Sequence, residues 1–285
     1  MAIAQQLTEL TNAIVLAAYG RAASQPVGPH ALVALGGFGR GEMAPYSDID
    51  LLFLFKRDRD KAPEFIAGVL HPLWDLGFEV GHSSRTVGEV VKMAREDVDS
   101  CTAMMDGRLL VGDADLFAEY GARLFKRVPK SVPLQLNKWR QARIDNKDSV
   151  QLLEPNVKES PGGLRDIQAL EWAMKAQAQQ TTVGRATADL WLRYLEASDV
   201  ETIVRARSFL LRVRHEMHFA VGRKRDVLEQ ELKMQIARSL GYSDLDMELG
   251  VERFMREYYL HARAIFHLVE LAFERLTRKI GRAHV

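Results

Sequence analysis

Asp48 and Asp50 stand two residues apart in LGGFGRGEMAPYSDIDLLFLF (35–55), at the start of an otherwise apolar run. On a strand that spacing sends both carboxylates to one face, a single pleat period apart. Held so close they repel, and apolar neighbours add a desolvation cost. A hard divalent cation removes the conflict. Mg²⁺ suits the pair, because it takes oxygen ligands and keeps positions for water and substrate phosphates. Upstream, Gly36 and Gly37 follow the short apolar strand ALVAL (31–35), and their bare backbone would let N–H groups approach a triphosphate. Arg40 can then give forked hydrogen bonds to phosphate oxygens, and Ser47, beside the pair, joins the nucleotide-binding candidates. Neither G-x-G-x-x-G nor a P-loop Gly-Lys-Ser/Thr is present in this stretch. A plainer role also exists for Asp48, as the cap of a turn through Pro45-Tyr46-Ser47.

The elements that must position these groups follow from periodicity. A helix is expected over 4–23, then a Gly/Pro/Ser-rich connector. Strands are expected at 31–35, 47–55 and 78–86. A helix over 62–77 carries Phe65, Val69 and Leu73 on one face and stops at Gly77. Shorter helices are expected near 87–95 and 100–110. Beyond Leu116 helical spacing takes over. SPGGLRDIQALEWAMKAQAQ (160–179) predicts a helix with Ser160 as N-cap and Pro161 in its first position, and 199–221 and 251–276 read as long amphipathic helices. The fold class is α+β: an N-terminal helix and connector (1–27), a domain with a small mixed sheet (28–115), then an all-α domain (116–279). Ile280–Val285 (IGRAHV) resembles the translation of a sequencing-library adapter and is expected to be a non-native tail.

Composition narrows the class of function. The chain has 285 residues, 47% hydrophobic and 27% charged, which is enough for a large core. A formal net charge of +1 gives no global basic field for nucleic acid. One cysteine, Cys101, allows no internal disulfide and fits a reducing cytoplasm; it reads as a packed thiol. No signal peptide and no bilayer-length apolar run appear, so neither membrane nor nucleic acid is an expected partner.

The double glycine followed about a dozen residues later by a D-x-D strand resembles the nucleotidyltransferase superfamily that includes DNA polymerase beta. Three blocks in order, GGFGRGEMAPYSDIDLLFL, LWDLGFEVGHSSRT and EPNVKESPGGLRDIQALEW, resemble more closely the bacterial [protein-PII] uridylyltransferase/uridylyl-removing family over about residues 30 to 275. The resemblance implies a polymerase beta-like fold and a two-metal Mg²⁺ site on Asp48 and Asp50. It also implies a nucleotide-phosphate site at Gly36, Gly37 and Arg40, UTP as donor, and a tyrosine of the PII signalling protein as acceptor. Bifunctional members continue into a His-Asp phosphohydrolase domain and two ACT domains. This chain has no His-Asp dipeptide, so transfer without uridylyl removal is the expectation. Two rivals stay open: another nucleotide or acceptor, such as adenylylation of glutamine synthetase, and a truncated module that binds nucleotide or PII without chemistry.

The superfamily generally carries a third carboxylate on a neighbouring strand, and Glu79 is its positional candidate here, with a solvent-facing role as the alternative. Asp75 reads as a surface or capping residue. His82 and Arg85 flank the same strand: His82 reads as a phosphate or substrate contact or, alternatively, a hydrogen-bonded structural histidine, and Arg85 as a candidate for balancing triphosphate charge. Lys158, Gly162, Gly163, Arg165 and Asp166 lie at an expected helix N-terminus, where backbone N–H groups favour an anion. The resemblance makes Lys158 and Arg165 nucleotide-binding candidates. Alternatively the glycines serve tight packing and Arg165 pairs locally. RHEMHF (214–219) is not a zinc-protease motif, since His215 and His218 are three apart. Arg205, Arg207, Arg212 and Arg214 read as a solvated stripe or a face for an acidic partner.

Overall fold

The computed structural model describes residues 2–25, 27–60, 62–145, 153–178 and 188–282. Four strands, β1 (His30–Ala34), β2 (Ile49–Phe55), β3 (Val80–Thr86) and β4 (Arg108–Gly112), form a mixed sheet in the order β3-β2-β1-β4. β1 runs antiparallel to β2 and β4, while β2 and β3 are parallel, with Asp50 opposite Gly81. The helices are α1 (Ala2–Ala22), α2 (Gly36–Arg40), α3 (Pro63–Asp75), α4 (Val87–Glu96), α5 (Val98–Met105), α6 (Ala114–Arg127) and α7 (Val132–Asp145). They continue as α8 (Leu164–Ala178), α9 (Ala188–Trp191), α10 (Ala197–Val221), α11 (Gln230–Ser239) and α12 (Gly250–Arg282). Among the described residues no helix is long and apolar enough to cross a membrane.

The pleat decides what each sheet face meets. Leu32, Ala34, Leu51, Phe53 and Phe55 pack with Val15 and Ala18 of α1 and with Phe65, Val69 and Leu73 of α3. Each large apolar side chain buried there contributes about 1.5–3 kcal/mol. Ala31, Val33, Leu52 and Leu54 point the other way, into a core that runs on through α4, α5, α6, α8, α10 and α12. By the same two-residue period Asp48 and Asp50 belong to this second face, so the carboxylates look toward the helices.

Several elements depart from the expectation. The strand over 47–55 begins at Ile49, which leaves Asp48 in the irregular stretch just ahead of it. The strand over 78–86 begins at Val80, so Glu79 precedes it. The helix placed at 100–110 instead ends at Met105, and Arg108–Gly112 forms the edge strand β4. Its apolar run Leu109-Leu110-Val111 is too short for periodicity to separate strand from helix. Ile280–Arg282 continue α12, and residues 283–285 of the expected tail lie outside the described residues.

The helix expected to start behind Ser160 begins only at Leu164. Ser160 Oγ accepts the Asn156 N–H at 2.9 Å, closing a turn rather than capping α8. Gly162 has φ +76, and a Cβ there would stand 2.1 Å from the Ala262 carbonyl oxygen of α12. Gly162→Ala therefore combines left-handed strain with overpacking. It is expected to lower unfolding stability by about 2–4 kcal/mol in urea titration, whereas Gly241→Ala, with open space around it, costs about 1–2 kcal/mol.

Candidate active site

Asp50 leaves the second residue of β2 into a slot made by two glycines. A Cβ on Gly36 would come 2.9 Å from its Oδ2, and one on Gly81 would come 2.6 Å from its Oδ1. Gly36 has φ +53 and opens α2, a single helical turn that takes the place of a plain strand end. Leu35 N–H donates to the Asp50 carbonyl at 2.9 Å, tying that turn to β2. Around Gly37 a Cβ would find its nearest atoms 3.8 and 3.9 Å away, so this backbone is open to a ligand.

Burial, then the charge of Asp48, raises the Asp50 carboxyl above its ordinary value. Burial also pushes on Asp48, but hydrogen bonding from Lys224 and from its own backbone, with the charges of Lys224 and Lys158, outweighs it and holds that carboxyl low. Lys224 Nζ sits 3.0 Å from Asp48 Oδ1. The two carboxyls are thus shifted in opposite directions at one strand mouth, Asp50 by burial and its neighbour's charge, Asp48 by the ammonium beside it.

They face a cleft of about 420 Å³, lined also by Gly36, Gly37, Arg40, Ser47, Lys158 and Arg165. The sequence candidates on either side of the chain are therefore gathered in one place. Lys158 is the open cation of the cleft: its ammonium has no hydrogen-bond or ion-pair partner among the described residues. Burial, with Arg165 and Arg214 nearby, pulls it down to about 8. Arg40 is more constrained. Its Nε donates to Glu42 and its Nη1 to the fully buried Asp106, leaving Nη2 on the Gly37 side. Arg165 reaches Glu159 Oε1 at 3.1 Å and Gln168 Oε1 at 2.9 Å while still bordering the cleft. Ser47 Oγ accepts the Ala44 N–H at 3.2 Å, closing a turn in which Tyr46 has φ 59.

Two family models match the chain: a nucleotidyltransferase domain over residues 21–96, and GlnD PII-uridylyltransferase over residues 133–273. Curated relatives named bifunctional uridylyltransferase/uridylyl-removing enzyme are similar over most of it. That of Phenylobacterium zucineum is 39% identical over 248 residues, 85% of this chain and 26% of the relative. That of Azotobacter vinelandii is 38% identical over 255 residues, 86% of this chain and 27% of the relative. That of Novosphingobium aromaticivorans is 34% identical over 289 residues, 98% of this chain and 31% of the relative. The chain belongs to the PII-uridylyltransferase family. It spans about a quarter to a third of the length of these relatives.

Not every sequence candidate joins the site. Register sets Glu79 beside Asp48, but its side chain is exposed and stays outside the cleft lining. His82 lies against Trp74, with ring centroids 6.0 Å apart, and Arg85 does not line the cleft either. The N–H groups of the Gly162–Asp166 block are already used: Gly162 donates to the Asp166 carboxylate, and the next four donate in turn to the carbonyls of Ser160, Val157, Lys158 and Gly163. An anion would find no free donor in that turn. Among the described residues no group of three or more His, Cys, Asp and Glu is gathered for a metal ion. The glycine slot and the two hard oxygen ligands of Asp48 and Asp50 fit a magnesium ion whose other ligands are phosphates and water. The third carboxylate of a full two-metal set is not among them.

Sequence reasoning missed the supports. Asp106 accepts from Arg40, Trp172 (2.9 Å) and Lys175 (2.9 Å), pinning α2 to α8. Glu42 bridges Arg40 and Arg207, and Arg207 continues as a fork onto Glu171. His215 and His218 of α10 hold the carbonyls of Met43 and Pro45, so the RHEMHF motif clamps the loop that leads into Asp48. Burial pulls His215 down to about 4, which keeps it a neutral donor to that carbonyl. Arg214 forks onto Asp226 at 2.7 and 3.3 Å. Arg207 and Arg214 are thus structural cations rather than a solvated stripe.

Lys158 sets a pH expectation. As pH rises through about 8 its ammonium is lost, so affinity for tripolyphosphate with Mg²⁺ should fall about 10-fold between pH 7 and 9.5. Lys158→Met should start weaker at pH 7 and lack that extra fall when titrated by calorimetry under the same conditions.

Proposed function

We propose that the chain transfers UMP from UTP to a tyrosine hydroxyl of the PII signalling protein, releasing pyrophosphate in a Mg²⁺-dependent reaction in the cytoplasm. The observation that carries this reading is the Asp48–Asp50 pair lining one cleft with Gly36, Gly37 and Lys158. The relatives' names supply the uridylyl group and, through the matching family model, the PII protein.

In this reading residues 28–115 carry the metal ligands and residues 116–279 close the cleft over the nucleotide. Asp48 and Asp50 hold the metal, which when bound neutralises the phosphates and makes the acceptor hydroxyl more acidic. Gly37 leaves room for the triphosphate against α2. Lys158, and Arg40 through Nη2, offset the charge that grows on the leaving pyrophosphate. The tyrosine oxygen attacks the α-phosphorus, its O–P bond forms as the bond from that phosphorus to the bridging β-phosphate oxygen breaks, and the hydroxyl proton passes to solvent water.

Incubation with α-labelled UTP, Mg²⁺ and purified PII protein is expected to place label on PII, and Asp50→Asn to cut the rate by more than about 100-fold with the circular dichroism spectrum retained. Label from ATP in place of UTP, or full turnover in the Asp50→Asn protein, would defeat the reading.

A further inference from the structure

The aromatic part of the cleft has no role in phosphate binding. Trp139 of α7 and Trp172 of α8 border it together with Thr102 and Gln168, and three of these four also line an adjoining cavity of about 360 Å³. Arg143 lies 4.7 Å over the Trp139 ring, and this half-buried indole, packed in part against the core, still borders both the cleft and the adjoining cavity. Trp172 is fixed by its N–H bond to Asp106.

Two polar groups in this wall are buried and only half used. Gln168 is 4% exposed, and its Oε1 accepts from Arg165 Nη1. A guanidinium only donates, so the amide orientation is fixed and Nε2 is the end left without a partner among the described residues. Thr102 is 5% exposed, and its hydroxyl proton is committed to the Asp99 carbonyl at 2.9 Å. Its oxygen is therefore left as an acceptor. One fixed donor and one fixed acceptor, beside an indole face, complement a ring edge that shows a carbonyl next to an N–H. Uracil has that edge at O4 and N3–H. Cytosine and adenine show the reverse, an amino group next to a bare ring nitrogen.

We propose that Trp139, Gln168 and Thr102 form the nucleobase subsite, with the base against Trp139, Gln168 Nε2 donating to O4 and Thr102 Oγ1 accepting from N3–H. This deepens the transfer reading and rests on it, since the phosphates must occupy the neighbouring glycine and lysine cradle. A mismatched base leaves a buried donor facing a donor and a buried acceptor facing an acceptor, which is where hydrogen-bonding sites discriminate most strongly.

Calorimetric titration of the chain in Mg²⁺ with UTP, CTP and tripolyphosphate tests the assignment without any turnover. UTP is expected to bind at least about 10-fold more tightly than CTP. Gln168→Glu keeps the Arg165 contact and turns the free end into an acceptor, so each base then makes one match and one mismatch and the preference for UTP should be lost; a purely structural glutamine would leave it unchanged. Thr102→Val should bring UTP to within about 2-fold of CTP. Tripolyphosphate affinity should be unchanged in both variants, which also reports that the cradle is folded. Equal UTP and CTP affinities with tripolyphosphate still bound, or an unchanged ratio in both variants, would overturn the base subsite and leave the transfer reading standing. Failure of the unaltered chain to bind tripolyphosphate or any nucleotide would overturn both.

Discussion

Two like charges on one strand mouth are the constraint around which this structure is arranged. Asp50 is enclosed on both sides by positions that have no Cβ, and Asp48 is matched by an ammonium that approaches from the far end of the sequence. Neither arrangement lowers the repulsion between the carboxylates by distance. It is managed by counter-charge instead, and the counter-charges come from elements beyond the sheet. The helices after residue 116 that supply them share one core with the small sheet on this face. A sheet standing alone would present the pair to water without the cations that make it useful.

Holding those cations in place requires further charge below the surface. Asp106, fully buried, carries three donors from α2 and α8, and Glu42, Arg207 and Glu171 extend the chain of ion pairs to α10. α8 is buried along nearly its whole length, so its Asp166, Glu171 and Lys175 have to be paired. Breaking one member of such a set strands the others in low dielectric, which makes the network a rigid frame rather than a source of net stability. The frame fixes Arg40, and through it the glycine turn. The histidines of α10 fix the opposite lip through two backbone carbonyls.

Much of the fold was legible along the chain. The apolar runs of β1 and β2, the stop at Gly77 and the long spacing of α10 and α12 are local signals, and the elements form at or near the positions they mark. β4 was hidden, because a three-residue apolar run satisfies helix and strand equally. The start of α8 was misread for a related reason: Ser160-Pro161 satisfies the rules for a helix entry, but the close approach of Ala262 to Gly162 holds those residues in a turn. At the site, the spacing of Asp48 and Asp50 could be read directly. The second use of Gly36 could not, since its need for no side chain arises from a carboxylate on another strand.

The sequence by itself determined the chemistry on offer: a carboxylate pair at strand spacing, a bare-backbone turn before it, and scattered basic and aromatic residues behind. Which of those met was decided only by the tertiary structure. Lys224 and Asp48 are 176 positions apart, and Trp172 and Asp106 are 66 apart. Local periodicity carries information about one element's own faces and none about which face of a distant element will lie against it. That choice belongs to the packing of α8 and α10 onto the sheet, where burial permits only those charges that find a partner.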